Sequence, residues 1–184
     1  LVQANYSKYS SRYDRYLAHD VAPAFDPSLS GGALYDLNVY NLELIVSLFG
    51  RPQSAAYTAN IGFNGIDTSG VMTLRYDGFI ATAAAAKDST SPSFFMIQGE
   101  SGWIRAEGAI NTLPSFTIGL HGREPQTYAL NRHEHRMVHE FESMRDIFAR
   151  KDYLSVEEGM QTSRAVIAVM EKARLVAGIQ FRAD

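Results

Sequence analysis

Residues 71–84 read Val-Met-Thr-Leu-Arg-Tyr-Asp-Gly-Phe-Ile-Ala-Thr-Ala-Ala, and this stretch decides the fold class. Apolar and polar residues alternate on either side of Asp77-Gly78, a pair that favours the type I′ turn of a two-residue hairpin. Folding about that turn sets Tyr76 against Phe79, Leu74 against Ala81 and Met72 against Ala83 on one surface. The other surface carries Arg75 with Ile80 and Thr73 with Thr82. The first surface reads as core. The second is mixed and flat enough to meet a partner.

The same period of two runs from Gln53 to Leu130, broken by frequent turn residues, and predicts an antiparallel meander. A second hairpin is expected from Phe94–Gln98 and Trp103–Glu107, turning at Gly99-Glu100-Ser101-Gly102. Upstream, residues 1–9 alternate as a strand, and Ser10 to Ser30, with Pro23 and Pro27, reads as a long loop able to act as a lid. Ala33 to Phe49 is apolar nearly all round and predicts a buried helix stopped by Gly50 and Pro52. Beyond Arg132 the period returns to that of a helix, with Met137, Phe141, Met144, Ile147 and Phe148 striping one element. Ser155 with Glu158 reads as a capping box opening the last helix, whose apolar positions include Val166, Ile167, Met170, Ala173 and Ala177. Strand, buried helix, sheet and two helices make an α+β chain: an open, mostly antiparallel sheet with helices packed on one face.

The 184 residues suit one domain, and surface scaling allows about 70% of the chain's surface to be buried. Cysteine is absent, which excludes a disulfide framework, thiolate metal sites and a cysteine nucleophile. A net charge of −3 argues against a nucleic-acid partner. No apolar run reaches the length of a membrane span and no secretory leader pattern opens the chain, so a soluble, cytoplasmic protein without membrane contact is expected. The chain starts at Leu1, already in strand-like sequence, and reads as a piece of something longer.

Dinucleotide-binding Gly-x-Gly-x-x-Gly, P-loop and Gly-x-Ser-x-Gly signatures are all absent. His133, His135 and His139 tempt a zinc assignment through the i, i+4 pair His135/His139. Arg136 stands where a metalloprotease helix needs its glutamate, so the cluster reads as a solvated helix start and no metal is expected. More informative is Gly31-Gly32-Ala33-Leu34-Tyr35-Asp36-Leu37-Asn38-Val39-Tyr40-Asn41-Leu42-Glu43. Asp36, Tyr40 and Glu43, at i, i+4 and i+7, share one face of an otherwise apolar helix. A carboxylate there must either border a cleft or partner group, or form a Tyr–Asp hydrogen bond that ties the helix to the loop before it.

These residues resemble the C-terminal domain of the glucose-fructose oxidoreductase and inositol dehydrogenase (Gfo/Idh/MocA) family. The pattern is a glycine pair, an apolar stretch, Asp, then His or Tyr four residues later and an acid three beyond. Gly31, Gly32, Asp36, Tyr40 and Glu43 match it in order. Gly99 to Ile104 resembles the family's glycine-flanked hairpin, Glu140 and Phe141 its penultimate helix, and Met170–Ala173 with Gly178–Phe181 its closing segment. The resemblance implies that residues 1–184 are the substrate-binding and oligomerisation domain of a longer enzyme. Its N-terminal Rossmann domain, which carries the Glu-Lys-Pro lysine and most contacts to NAD or NADP, is absent here. It further implies a sugar, polyol or dihydrodiol-like alcohol as substrate, a homodimer formed through the sheet, and an isolated chain that is inactive.

By the same resemblance Tyr40 handles the proton of the substrate hydroxyl and Asp36 helps to hold the substrate. Asn38 stands where the family often has Gly, Tyr40 where it often has His, and Glu43 where Asp is more usual. Asn38 and Glu43 are therefore expected at the pocket. Arg12 and Tyr13, on the preceding loop, either bind substrate hydroxyls or pack on each other by a cation–π contact. An ordinary phenol titrates near 10 and a neighbouring carboxylate disfavours the phenolate, so a base of this kind needs a cation, which the absent lysine would supply. The competing reading is a noncatalytic dimerisation or ligand-binding module in which the Asp36/Tyr40 pair is structural.

Overall fold

A computed structural model, describing residues 1–182, places eight strands in one open sheet in the order β2-β3-β4-β1-β5-β6-β7-β8. β1 (Val2–Ser7) lies at its centre, parallel to β4 (Ile80–Ala86) and antiparallel to β5 (Phe94–Gln98). Every other neighbouring pair is antiparallel: β2 (Ser54–Ile61) with β3 (Asp67–Arg75), β3 with β4, and β5 through β6 (Gly102–Glu107), β7 (Phe116–Leu120) and β8 (Gln126–Tyr128). The class is α+β, as the alternation predicts. The meander is interrupted only because the first strand inserts between β4 and β5.

The hairpin register is the one read from the sequence: Leu74 opposes Ala81, Met72 opposes Ala83 and Thr73 opposes Thr82. The turn differs. Gly78 takes positive φ (+79°) but Asp77 does not, so it is not type I′, which requires positive φ at both positions. Tyr76 and Phe79 stack across it with ring centroids 4.7 Å apart.

The inner face of β4 is Ala81, Ala83 and Ala85, all buried. Such small side chains let a helix approach the strand closely. The expected helix over 33–49 is there in two parts, a π-helical turn (Leu34–Asn38) running into α2 (Val39–Phe49), closed by Gly50 at φ +73°. Asn38 Nδ2 donates to Ala83 O at 2.9 Å and Asn41 Nδ2 to Ala84 O at 3.0 Å, so two amides anchor the helix on β4 carbonyls.

Residues 10–30 are not a lid. They form α1 (Tyr13–Leu17) and two 3-10 turns, with Tyr16 and Phe25 buried and stacked at 4.8 Å. Tyr16 Oη donates to Asn64 Oδ1 at 2.7 Å, and Asn64 Nδ2 donates to Phe25 O at 2.8 Å. The segment is a plug held by the β2–β3 turn. The two prolines and the aromatics that suggest an irregular loop instead supply its packing.

α3 (Met137–Arg150) and α4 (Tyr153–Val176) follow the sheet. Asp152, not Ser155, caps α4: its carboxylate accepts from Ser155 N at 3.1 Å and from Ser155 Oγ at 2.9 Å. α4 buries Val166, Val169, Met170 and Ala173 into the core, whereas α3 buries no residue, and Phe148 of its apolar stripe is 87% exposed. Among the described residues no helix is long and apolar enough to cross a membrane.

Gly32 enters the helical segment at φ +102°, and a Cβ there would strike the Asp67 carboxylate. Gly78 also has positive φ, but open space around it. Gly32→Ala should therefore cost more than about 2 kcal/mol in urea unfolding, through strain plus overlap. Gly78→Ala should cost about 1 kcal/mol. Equal losses would refute this packing of Gly32.

Candidate active site

The site begins with a carboxylate that the strand phase alone would point elsewhere. Even-numbered residues of β3 (Met72, Leu74) face the core, which would turn Asp67 outward. A bulge intervenes: Asn60 pairs with Ser69 but Ile61 pairs with Asp67, and the extra residue swings Asp67 inward. There its Oδ2 accepts from Leu34 N at 2.7 Å and from Tyr57 Oη at 2.7 Å. Burial pushes the Asp67 carboxyl above the usual carboxylate range, against these two donors and nearby Lys87. Burial, then the Asp67 charge, pushes the Tyr57 phenol well up.

Lys87 continues the inner-face parity of Ala81, Ala83 and Ala85, so the period of two sends a lysine into the core. Its Nζ pairs with Asp36 Oδ2 at 2.7 Å, donates to Ala24 O, and lies 4.2 Å from the centroid of the Phe25 ring. Burial pushes its pKa down; Asp36 and Asp67 oppose this, and Arg12 adds to it by like charge. The Lys87 side chain is 2% exposed and that of Asp36 48%, so the pair runs from interior to surface.

Tyr40 follows Asp36 by one helical turn and is 40% exposed. Its ring lies 5.9 Å from that of Tyr6, whose hydroxyl accepts from Asn111 Nδ2 at 3.2 Å. Asp36 and Tyr40 therefore both reach solvent, and Arg12 is exposed within electrostatic range of Lys87. Tyr13 stacks with Tyr16 and packs against Tyr9 and Phe25 in an aromatic cluster.

Two expected pocket residues are not brought there. Asn38 is fully buried, with its amide on Ala83 O and its Oδ1 accepting from Asn41 Nδ2 at 2.9 Å, so it serves the helix–strand contact. Glu43 accepts from Ser163 Oγ of α4 at 3.3 Å. The π turn is the reason: its wider winding breaks the 100°-per-residue phase that would set Asp36 and Glu43 in one line. Sequence reasoning missed Lys87, Asp67, Tyr57 and Tyr6. Only Lys87 had a readable signal, its parity at the end of an alanine strand.

Chemically, the arrangement offers a solvent-facing carboxylate balanced by a buried cation, with a phenol hydroxyl one turn away. That suits hydrogen bonding to a small hydroxylated molecule. It does not suit a dinucleotide pyrophosphate: the glycine-preceded helix start commits its Leu34 amide to Asp67, and the sheet's one parallel pair has no glycine-rich turn of the Rossmann kind.

Residues 5–105 match the family model described as GFO/IDH/MocA C-terminal domain. Over 180 residues the chain is 31% identical to the oxidoreductase YgjR of Escherichia coli, itself uncharacterised, covering 98% of this chain and 54% of that protein. It is 33% identical over 181 residues to the NADP(+)-dependent scyllo-inositol 2-dehydrogenase IolU of Bacillus subtilis, covering 98% and 55%. The chain thus spans about half the length of these curated relatives. Among solved structures, UDP-N-acetylglucosamine 3-dehydrogenase GnnA of Acidithiobacillus ferrooxidans shares the fold, with TM-score 0.68 at 16% identity over 96% of this chain and 52% of that one.

Asp36→Asn should leave the Lys87 ammonium buried without its counter-charge. Breaking a buried pair costs about 3–5 kcal/mol, reduced here to about 1–3 because Asp36 is half-exposed. Adding Lys87→Met should recover most of that loss in urea unfolding, and an Asp36→Asn variant as stable as the parent would disprove the pairing. A second measurement concerns Asp67. Its folded-state pKa is raised, so its contribution is complete below the unfolded value of 3.8 and is lost as pH rises through the folded value. Asp67→Asn should flatten that fall in a series of unfolding curves from acidic to neutral pH.

Proposed function

The chain belongs to the GFO/IDH/MocA C-terminal domain family, and on that premise we propose that it is the substrate side of an NAD(P)-dependent oxidoreductase acting on a sugar, polyol or related secondary alcohol. The observation that carries this reading is the half-exposed Asp36 carboxylate, held from beneath by buried Lys87, with the Tyr40 hydroxyl one turn away. In this reading Asp36 accepts a hydrogen bond from one substrate hydroxyl and fixes the ring. Tyr40 Oη takes the proton of the hydroxyl that is oxidised. An N-terminal half would hold the nicotinamide cofactor, which when bound would supply the hydride acceptor. Lys87 already balances Asp36, so the further cation that a phenol base needs would come from the N-terminal half and serve Tyr40 alone.

The name of IolU supports a polyol substrate and NADP(+). The half-length match supports an N-terminal partner domain, and the exposed α3 stripe offers it an apolar surface to cover. The outer sheet face, with Val71, Ile80 and Trp103 exposed among threonines and Arg75, supports homodimerisation. Alone, the chain would hold the alcohol side only and turn nothing over.

In a protein carrying both halves, assayed with scyllo-inositol and NADP(+), Tyr40→Phe should lower turnover by about 10²–10⁴ while leaving the circular dichroism unchanged. Turnover within a few-fold of the parent would remove Tyr40 from the chemistry. A marked fall in Tm with dimers intact would instead favour a structural role and a noncatalytic module.

A further inference from the structure

A cluster remote in sequence from Asp36 and Tyr40 carries a separate chemistry. His133 lies in the segment before α3, while His139 and Glu142 lie three residues apart on the first turns of α3 and so share a face. The two imidazole rings are 4.9 Å apart, and His133 Nε2 is 3.2 Å from Glu142 Oε1. One ligand-type atom from each of the three residues falls within 4.8 Å of the other two. We propose that His133, His139 and Glu142 form a binding site for a divalent transition-metal ion of the zinc type, with its remaining coordination positions open to water.

Two imidazoles and one carboxylate are the donor set of open zinc sites and of the facial triad, and they select zinc, nickel, copper or ferrous ions over magnesium or calcium. Bonds of about 2.0–2.2 Å in a tetrahedron hold ligand atoms roughly 3.3–3.6 Å apart. The His133–Glu142 pair, at 3.2 Å, is slightly closer than that spacing, and His139, whose ligand atom lies within 4.8 Å of the other two, needs a side-chain rotation to join them. What occupies the cluster in the structure is Arg132: its backbone N–H donates to His139 Nε2 at 3.2 Å, and its guanidinium lies 3.5 Å from Glu142 Oε2. That guanidinium is mostly solvent-exposed on a flexible stem, so a metal ion can displace it from Glu142, while His139 must give up the Arg132 backbone N–H from its Nε2 or bind through Nδ1.

The i, i+4 spacing of His135 and His139 points to the wrong pair. His135 meets the first residue of α3 instead, its Nδ1 accepting from Met137 N at 3.3 Å, and His133 takes its place. An ion here would staple the segment before α3 onto a helix that buries none of its own residues, supplying a constraint that packing within the chain does not.

The test uses the untagged full chain, stripped with a chelator and titrated with Zn²⁺ by calorimetry and with Co²⁺ by visible absorption. The expected result is one ion per chain, with affinity falling at least about tenfold in each of His133→Ala, His139→Ala and Glu142→Gln. His135→Ala and His121→Ala should bind as the parent does. Because His133 is exposed and neither His139 nor Glu142 is buried, the variants should keep the parent's circular dichroism. Hydrogen exchange over residues 131–142 should slow on adding Zn²⁺ to the parent but not to Glu142→Gln. No saturable uptake, uptake that survives all three ligand substitutions, or uptake lost equally in His135→Ala would overturn the assignment.

Discussion

The ammonium of Lys87 is the point on which the structure turns. A lysine head taken out of water costs several kcal/mol unless opposite charge and acceptors surround it. Here they come from separate parts of the chain: the Ala24 carbonyl and Phe25 ring, the Asp36 carboxylate and, further off, Asp67. Meeting that demand draws the 10–30 segment, the helix entry and the β3 bulge onto the end of β4. The ion pair leaves Asp36 half-exposed, so the candidate site rests on a contact that also joins separate parts of the fold.

Around this charge the packing depends on small side chains. The alanines of β4 let the helical segment approach until Asn38 and Asn41 reach strand carbonyls, and Gly32 leaves room for the Asp67 carboxylate. Gly70 does the same for the Tyr57 ring, which brings the phenol to Asp67. The result is a hydrogen-bonded base from which the ends of Asp36 and Tyr40 emerge. Groups that must meet a substrate in one geometry gain from such support.

The far end of the chain has the opposite character. α4 joins the core through one face, but α3 holds its stripe of Phe141, Met144 and Phe148 to solvent. The same apolar periodicity therefore had two outcomes. A periodic stripe says that a helix has an apolar face; it does not say that the chain itself covers that face.

The sequence by itself determined the elements: the register of the Asp77-Gly78 hairpin, the second hairpin, the stop at Gly50, the α+β class and the placing of Asp36 and Tyr40 four residues apart on one helical segment. These follow from local dihedral preference and from alternation summed over many residues, and both survive small errors of phase. Tertiary structure decided the rest: that Asp67 turns inward, that Asn38 is a core anchor, that Glu43 meets α4, and that Lys87 lies beneath Asp36. Each depends on a single-residue event, a β-bulge or a π turn, or on a contact between residues far apart in the chain. One inserted residue reverses the face of a strand and one wide turn rotates a helix. What selects those events is the energetic demand of buried charge, which only the assembled fold can meet.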